Sequence, residues 1–300
     1  MNITRRQFLK YSGAGAMGLA AVPLFDRRAL AGFMGSPAAS AVGILIDTTK
    51  CIGCRACQLA CKAKNNLPED ASSLPPNRTF PIALSETTFS LVEFHRVGGS
   101  DQNPQYRTVK RQCMHCLEPA CASVCPVAAI TKTEKGPVVY DAEKCMGCRY
   151  CMAACPFNVP KFEWTSSNPR IRKCTMCADR IEKGLQPACV EACPVGALTF
   201  GTRAELVANA QQRVSDMPDK YYPYIYGLSE VGGTSILYLA NVPFEKLGFN
   251  VSLPKTALPD LTWQVMEKIP GVAVGVGLLM GTIAWVTHRR EKGASGEQRE

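Results

Sequence analysis

The chain has 300 residues, a formal net charge of +9 and 16 cysteines. That length allows a sizeable core, and so many cysteines in so long a chain do not describe a small disulfide-stapled domain. Nor does the charge argue for nucleic acid: +4 of it lies in residues 1–31 and +1 after Thr287, and the aromatics are not interleaved with arginines.

Thr4-Arg5-Arg6-Gln7-Phe8-Leu9-Lys10 opens the chain, ahead of a mildly apolar stretch rich in glycine and alanine. The pair Arg5 and Arg6 before such a region reads as a twin-arginine export signal. Ala29-Leu30-Ala31 offers a small-x-small cleavage site, with Ala39-Ser40-Ala41 as a weaker second one. Residues 1–31 are therefore expected to be a signal peptide, with the mature chain starting near Gly32. Gly13-Ala14-Gly15 with Gly18 imitates a dinucleotide fingerprint, but it follows no strand.

Val42 to Asp47 reads as a short apolar strand leading into a first cysteine run, Cys51, Cys54, Cys57 and Cys61. An insertion over residues 64–110 follows. It is expected to hold a strand at residues 87–97, with Phe89, Leu91 and Phe94, between loops at 67–81 and 98–105. The second run is Cys113, Cys116, Cys121 and Cys125. Pro126-Val127-Ala128-Ala129-Ile130 then leads to a turn at Glu134-Lys135-Gly136 and back along Val138 to Tyr140, a hairpin joining two cysteine groups. The third run is Cys145, Cys148, Cys151 and Cys155, followed by Pro156. Cys174 and Cys177 pair with Cys189 and Cys193, the last again followed by proline (Pro194).

The third run is C-x2-C-x2-C-x3-C-P, the ligand run of bacterial ferredoxins, whose fourth thiolate serves the other cluster of a two-cluster protein. Structural zinc also uses C-x2-C pairs, but it closes with four ligands and gains nothing from a third cysteine at this spacing. No pair continues as C-x-x-C-H, so covalent c-type haem is not indicated. Four quartets with no cysteine left over predict four [4Fe–4S] clusters. The repeat predicts an α+β fold over residues 42–201, built as two ferredoxin-like units each holding two cubane clusters. Each oxidised cubane with its thiolates adds about −2. Four of them would turn the +4 left between the two ends into about −4.

Thr202-Arg203-Ala204-Glu205 is a capping box that should open a helix running to about Val214, at the start of an extension over residues 202–268. Tyr221 to Gly227 reads as a turn and Val231 to Leu239 as a strand, its tyrosines forming a packed, partner-facing surface. Residues 269–287 carry no charge. At about 1.5 Å per residue they just cross a hydrocarbon core of about 30 Å, which predicts a single C-terminal transmembrane helix. Gly277 and Gly281 there have small-x3-small spacing. Trp285, His288, Arg289, Arg290 and Lys292 follow. These basic residues put a tail over residues 288–300 in the cytoplasm. With the export signal, this places the bulk on the periplasmic side of the bacterial inner membrane.

With these parts in hand, the chain resembles the four-cluster iron–sulfur subunits of membrane-bound bacterial oxidoreductases. The resemblance is carried by the cysteine runs, by Gln112-Cys113-Met114-His115-Cys116, by Cys155-Pro156-Phe157-Asn158-Val159-Pro160-Lys161 and by the stretch from Gly227 to Pro243. It looks most like the iron–sulfur subunit of hydrogenase-2 type nickel–iron hydrogenases, with the beta subunit of periplasmic formate dehydrogenases second. The resemblance implies that Cys51, Cys54, Cys57 and Cys193 hold one cubane, and Cys61, Cys174, Cys177 and Cys189 another. It assigns Cys113, Cys116, Cys121 and Cys155 to a third, and Cys125, Cys145, Cys148 and Cys151 to a fourth.

The expected role is that of an electron-transfer subunit, not an enzyme on its own, since no nucleophile–base constellation or nucleotide-binding loop is present. Its partners would be a catalytic oxidoreductase subunit and an integral-membrane, quinone-reactive subunit, with no nucleic acid. A tether or redox sensor with structural clusters is the rival from another class. His115, between two ligands, is either a donor to a cluster sulfur or a partly exposed packing residue.

Overall fold

The computed structural model describes residues 40–68, 79 and 83–296, with only the backbone course given for 290–296. The signal segment with Arg5 and Arg6, residues 69–78 and 80–82 of the insertion, and the end of the tail lie outside the described residues. In chain order the first elements are β1 (Val42–Asp47), α1 (Ala56–Lys64), β2 (Leu91–Gly99), β3 (Pro104–Arg111), α2 (Ala120–Ser123), β4 (Ile130–Lys132), β5 (Val138–Tyr140) and α3 (Tyr150–Ala154). They continue as β6 (Lys161–Phe162), β7 (Ile171–Arg172), α4 (Ala178–Glu182), α5 (Ala188–Glu191), β8 (Leu198–Thr202), α6 (Arg203–Asp216), β9 (Ile236–Leu239), α7 (Leu258–Met266) and α8 (Ile269–Gly296).

β1 is the middle strand of a sheet ordered β8-β1-β9, antiparallel to β8 and parallel to β9. A strand buried on both faces reads as a continuous apolar run rather than an alternation, and Ile44, Leu45 and Ile46 are all buried. The pleat still sorts them. Leu45 packs with Leu206, Ala210, Leu237 and Leu239 beneath α6. Ile44 and Ile46 turn the other way, each lining a cysteine cavity. The expected capping box starts α6: Glu205 N–H donates to Thr202 Oγ1 at 3.3 Å and Thr202 N–H to Glu205 Oε2 at 3.1 Å.

β4 and β5 form the expected antiparallel hairpin, Ile130 facing Tyr140. The insertion departs from expectation. Its strand starts at Leu91 and continues through Gly99, and residues 104–111 pair with it as β3, so both ends of the expected 98–105 loop belong to strands. The polar sequence Gln105-Tyr106-Arg107-Thr108-Val109-Lys110 hides that strand because its inward positions are only partly apolar. The strand predicted at Val231 to Leu239 is confined to Ile236–Leu239, and Val231 lies in a 3-10 turn with a positive φ. Of the tyrosines there, Tyr221, Tyr226 and Tyr238 are interior rather than on a surface, Tyr222 is half-buried and Tyr224 is exposed. Tyr226 and Tyr238 are buried and pack with Phe244 and Phe249, the Tyr226 and Phe249 rings 4.4 Å apart.

At the C-terminus, Leu258–Arg289 is the one helical segment among the described residues that is long and apolar enough to cross a membrane. α8 outruns the predicted span, and its apolar side chains, Val272 and Leu278 among them, are exposed.

Candidate metal centres

Each cysteine run is shaped by backbone that only a few residues adopt. In the first and third runs the sequence Gly-Cys-Arg repeats, and the conformations repeat with it: Gly53 and Gly147 both have φ 73°, while Arg55 and Arg149 sit at 61° and 62°. These left-handed positions cost little at glycine and more at arginine. α1 and α3 begin directly after them. The second and fourth runs share another form, with left-handed residues at His115 and Met176 and short helices capped by Pro119 and Pro187. The segments after Cys125 and Cys193 also match. A left-handed Ala128 or Gly196 turns the chain so that Ala129 N–H donates to Cys125 Sγ at 3.2 Å and Ala197 N–H to Cys193 Sγ at 3.3 Å.

These local forms bring distant cysteines together. Cys51, Cys54, Cys57 and Cys193 line one cavity, site A. Cys61, Cys174, Cys177 and Cys189 line a second, site B. Cys125, Cys145, Cys148 and Cys151 line another, site D. The remaining four, site C, are mutual neighbours: burial first, then the charges of Cys113, Cys155 and Cys121, push the Cys116 thiol well above its ordinary range. Each run thus gives three thiols to one site and one to a neighbouring site.

None of the 16 cysteines is in a disulfide. Among the described residues, no three His, Cys, Asp or Glu side chains converge closely enough for a single metal ion. Four thiols spread round a cavity fit a polynuclear group, whereas zinc would draw its thiolates to about 2.3 Å from one centre. Burial also pushes Cys57, Cys61 and Cys121 up to about 12, with neighbouring cysteines adding to the effect. Such thiols are inert nucleophiles on their own, and a cationic group supplies what would ionise them together.

Three lysines and a histidine line this interior, and sequence reasoning missed the lysines. Lys110 and Lys173 are buried. Lys173 donates to the carbonyls of Val138 and Cys174, at 2.5 and 3.1 Å. Lys132 donates to the carbonyl of Cys116 at 2.8 Å, and burial lowers its pKa to about 8. A lysine ahead of a cysteine run ordinarily reads as a solvated charge, so spacing gave no signal. His115 is fully buried, which rules out the partly exposed packing role. Burial, helped by Lys173, Lys132 and Lys110, holds its pKa well below the usual imidazole range. Its Nδ1 accepts the Val138 N–H at 2.9 Å, so the neutral ring carries its proton on Nε2, which has no partner among the described residues.

Comparison with known proteins shows the chemistry these cysteines serve. The 4Fe–4S dicluster domain matches residues 104–203, and a 4Fe–4S binding domain matches residues 42–63. The protein is thus of the 4Fe–4S ferredoxin class and carries multiple 4Fe–4S clusters. It is 44% identical over 266 residues to a protein of Nitratidesulfovibrio vulgaris Hildenborough, covering 86% of this chain and 70% of that one. It is 38% identical over 290 residues to the hydrogenase-2 operon protein HybA of Escherichia coli O157:H7 (87% and 86% covered). It is 36% identical over 248 residues to the formate dehydrogenase iron-sulfur subunit of Haemophilus influenzae (80% and 78% covered). The chain belongs to this family of 4Fe–4S iron–sulfur subunits.

Proposed function

We propose that the chain is the electron-transfer subunit of a membrane-bound periplasmic oxidoreductase, linking a catalytic subunit of the nickel–iron hydrogenase type to a quinone-reactive membrane subunit. In this reading residues 42–201 form two ferredoxin-like units with four [4Fe–4S] clusters, residues 202–268 an extension, and residues 269–287 the membrane anchor. Residues 1–31, with Arg5 and Arg6, are the export signal, and 288–300 the cytoplasmic tail. The observation that carries it is the exchange of cysteines between runs, by which Cys61 and Cys193 cross to fill sites B and A. Bound clusters supply one-electron redox chemistry.

The protein's own residues fix the sites and exclude water from them. Cys51, Cys54, Cys57 and Cys193 would hold the cluster of site A; Cys61, Cys174, Cys177 and Cys189 that of site B. Cys113, Cys116, Cys121 and Cys155 would hold that of site C, and Cys125, Cys145, Cys148 and Cys151 that of site D. Ala129 and Ala197 amides donate to ligand sulfurs, which favours the reduced state. Ile52 and Met146, 63% and 65% exposed, stand at the outer edges of sites A and D. That exposure makes those two sites the natural points of electron entry and exit.

The similarity to formate dehydrogenase iron–sulfur subunits supports a second reading, with a molybdopterin enzyme as the donor. Anaerobic purification of the native complex separates them. About sixteen irons per chain with nickel supports the hydrogenase reading, the same iron with molybdenum or tungsten supports the second, and zinc or disulfides in place of iron would sink both. Against the tether, hydrogen-dependent quinone reduction should fail in Cys148→Ser even where the complex assembles.

A further inference from the structure

Sites A and B are joined by two buried polar side chains whose bonding is incomplete. Lys110 lies on β3 opposite Val92, and both line site A. The residue is 2% exposed, and among the described residues the one hydrogen bond from its ammonium goes to Gln112 Oε1. No carboxylate stands within ion-pair distance of it among the described residues. An ammonium buried without a counter-charge is strongly unfavourable. The ionisable groups around it are thiols of both sites, which a bound cluster would hold as thiolates: Cys57 of site A, and Cys189 and Cys174 of site B.

Gln112 continues the line. It is 3% exposed and borders site B. An ammonium only donates, so the carboxamide must turn Oε1 toward Lys110, which leaves its NH2 facing the other way. That Nε2 is buried with no partner among the described residues. A buried amide donor without an acceptor is a costly arrangement unless something in the site accepts from it.

We propose that Lys110 and Gln112 form a bridge between two adjacent cluster sites, Lys110 serving as the shared buried counter-charge and Gln112 donating an N–H to the sulfur of the site B group. The bridge rests on the reading of A and B as cluster sites. A cation beside a cluster favours its more negative, reduced state, and an N–H donated to sulfur does the same. Both residues are positioning residues that set potentials; neither is a ligand.

The test uses full-length holoprotein made anaerobically in cells competent for cluster assembly, with iron counted and each cluster titrated by electron paramagnetic resonance. Cys54→Ser and Cys177→Ser mark the signals of sites A and B. In Lys110→Met the reduction equilibrium of both sites should fall at least tenfold, about 59 mV for one electron, while sites C and D stay in place. Lys110→Arg should keep both, and Gln112→Leu should lower site B alone. Full iron with unmoved potentials at A and B overturns the bridge, as does an equal shift at all sites. If Lys110→Met loses iron, loss confined to A and B with rescue by Lys110→Arg supports it, and loss at every site overturns it. Wild-type protein without iron would instead remove the cluster reading itself.

Discussion

The Tyr221 hydroxyl donates to Asp47 Oδ2 at 2.8 Å, and Arg213 Nη1 reaches the same oxygen at 3.2 Å. Asp47 ends β1, is buried, and takes two further hydrogen bonds from Thr49, at 3.0 and 2.6 Å, in the turn before Cys51. Residues long after the last cysteine therefore hold the entry to the first run. Hydrogen bonds to a charged group contribute about 1.5–3 kcal/mol. Tyr221→Phe should cost toward the lower end of that range. Asp47→Ala, which strips Arg213 of its buried partner, should cost about 3–5 kcal/mol. Thermal unfolding of the holoprotein checks both; equal melting temperatures for wild type and Asp47→Ala would refute the link.

A pH dependence follows from the β2–β3 hairpin. Glu93 accepts from Arg111 Nε at 2.9 Å and from His95 Nε2 at 2.8 Å. Burial pushes the Glu93 carboxyl up, but the His95 hydrogen bond and the Arg111 charge overcome it and hold the group below the usual carboxylate range. A carboxyl lowered in the folded state adds stability above its unfolded value, about 4.3, and that stability fades as pH falls through the folded value. Wild type should exceed Glu93→Gln by about 1 kcal/mol near neutrality. The gap should close below about pH 4. Amide exchange at Val92 and Val109, corrected for intrinsic rates, measures it; a gap that widens on acidification contradicts the assignment.

Gly43 is the second residue of β1, where a side chain has no room. A Cβ there would lie 2.2 Å from the Ser235 carbonyl oxygen, the acceptor of the Ile44 N–H at 2.9 Å. Glycine inside a strand often marks such a close approach of another backbone. Gly43→Ala should therefore separate β1 from the segment entering β9 and cost about 2–4 kcal/mol, at the upper end of the usual range for a single substitution. Denaturant unfolding that places the variant within about 0.5 kcal/mol of wild type would show that the neighbouring backbone yields.

How much of this was legible follows the range of the interactions. Cysteine spacing, the Thr202–Glu205 capping box and the β4–β5 hairpin are local patterns, and the chain forms them where its sequence says. The parallel pairing of Ile44 to Asp47 with Ile236 to Leu239 joins segments about 190 residues apart, and no local pattern announces it. β3 was hidden because Lys110 points inward. Buried lysine is rare unless paired, and the groups around it here are Gln112 and thiols gathered from other parts of the chain. Glu230 was missed for a similar reason: buried, it accepts from the Gly227 N–H at 2.7 Å and the Tyr224 hydroxyl at 2.5 Å. The buried state of His115 depends on Val138, which only the folded hairpin brings to it.

The C-terminal helix gives the last prediction. α8 leaves its apolar side chains uncovered over the whole membrane-length window, so the fold of the cysteine sites draws no packing from it. An uncovered apolar helix of that length is stable in water only when something else buries it. A chain ended after Glu267 should keep its iron and its unfolding temperature but move from the membrane to the soluble fraction. The measurement belongs in cells lacking the partner subunits, since a bound partner would hold the truncated chain at the membrane. Truncated protein that still requires detergent would place the membrane contact elsewhere, for example on the exposed Leu261 and Val265 of α7. Truncated protein that loses iron would mean that α8 packs against the body of the protein.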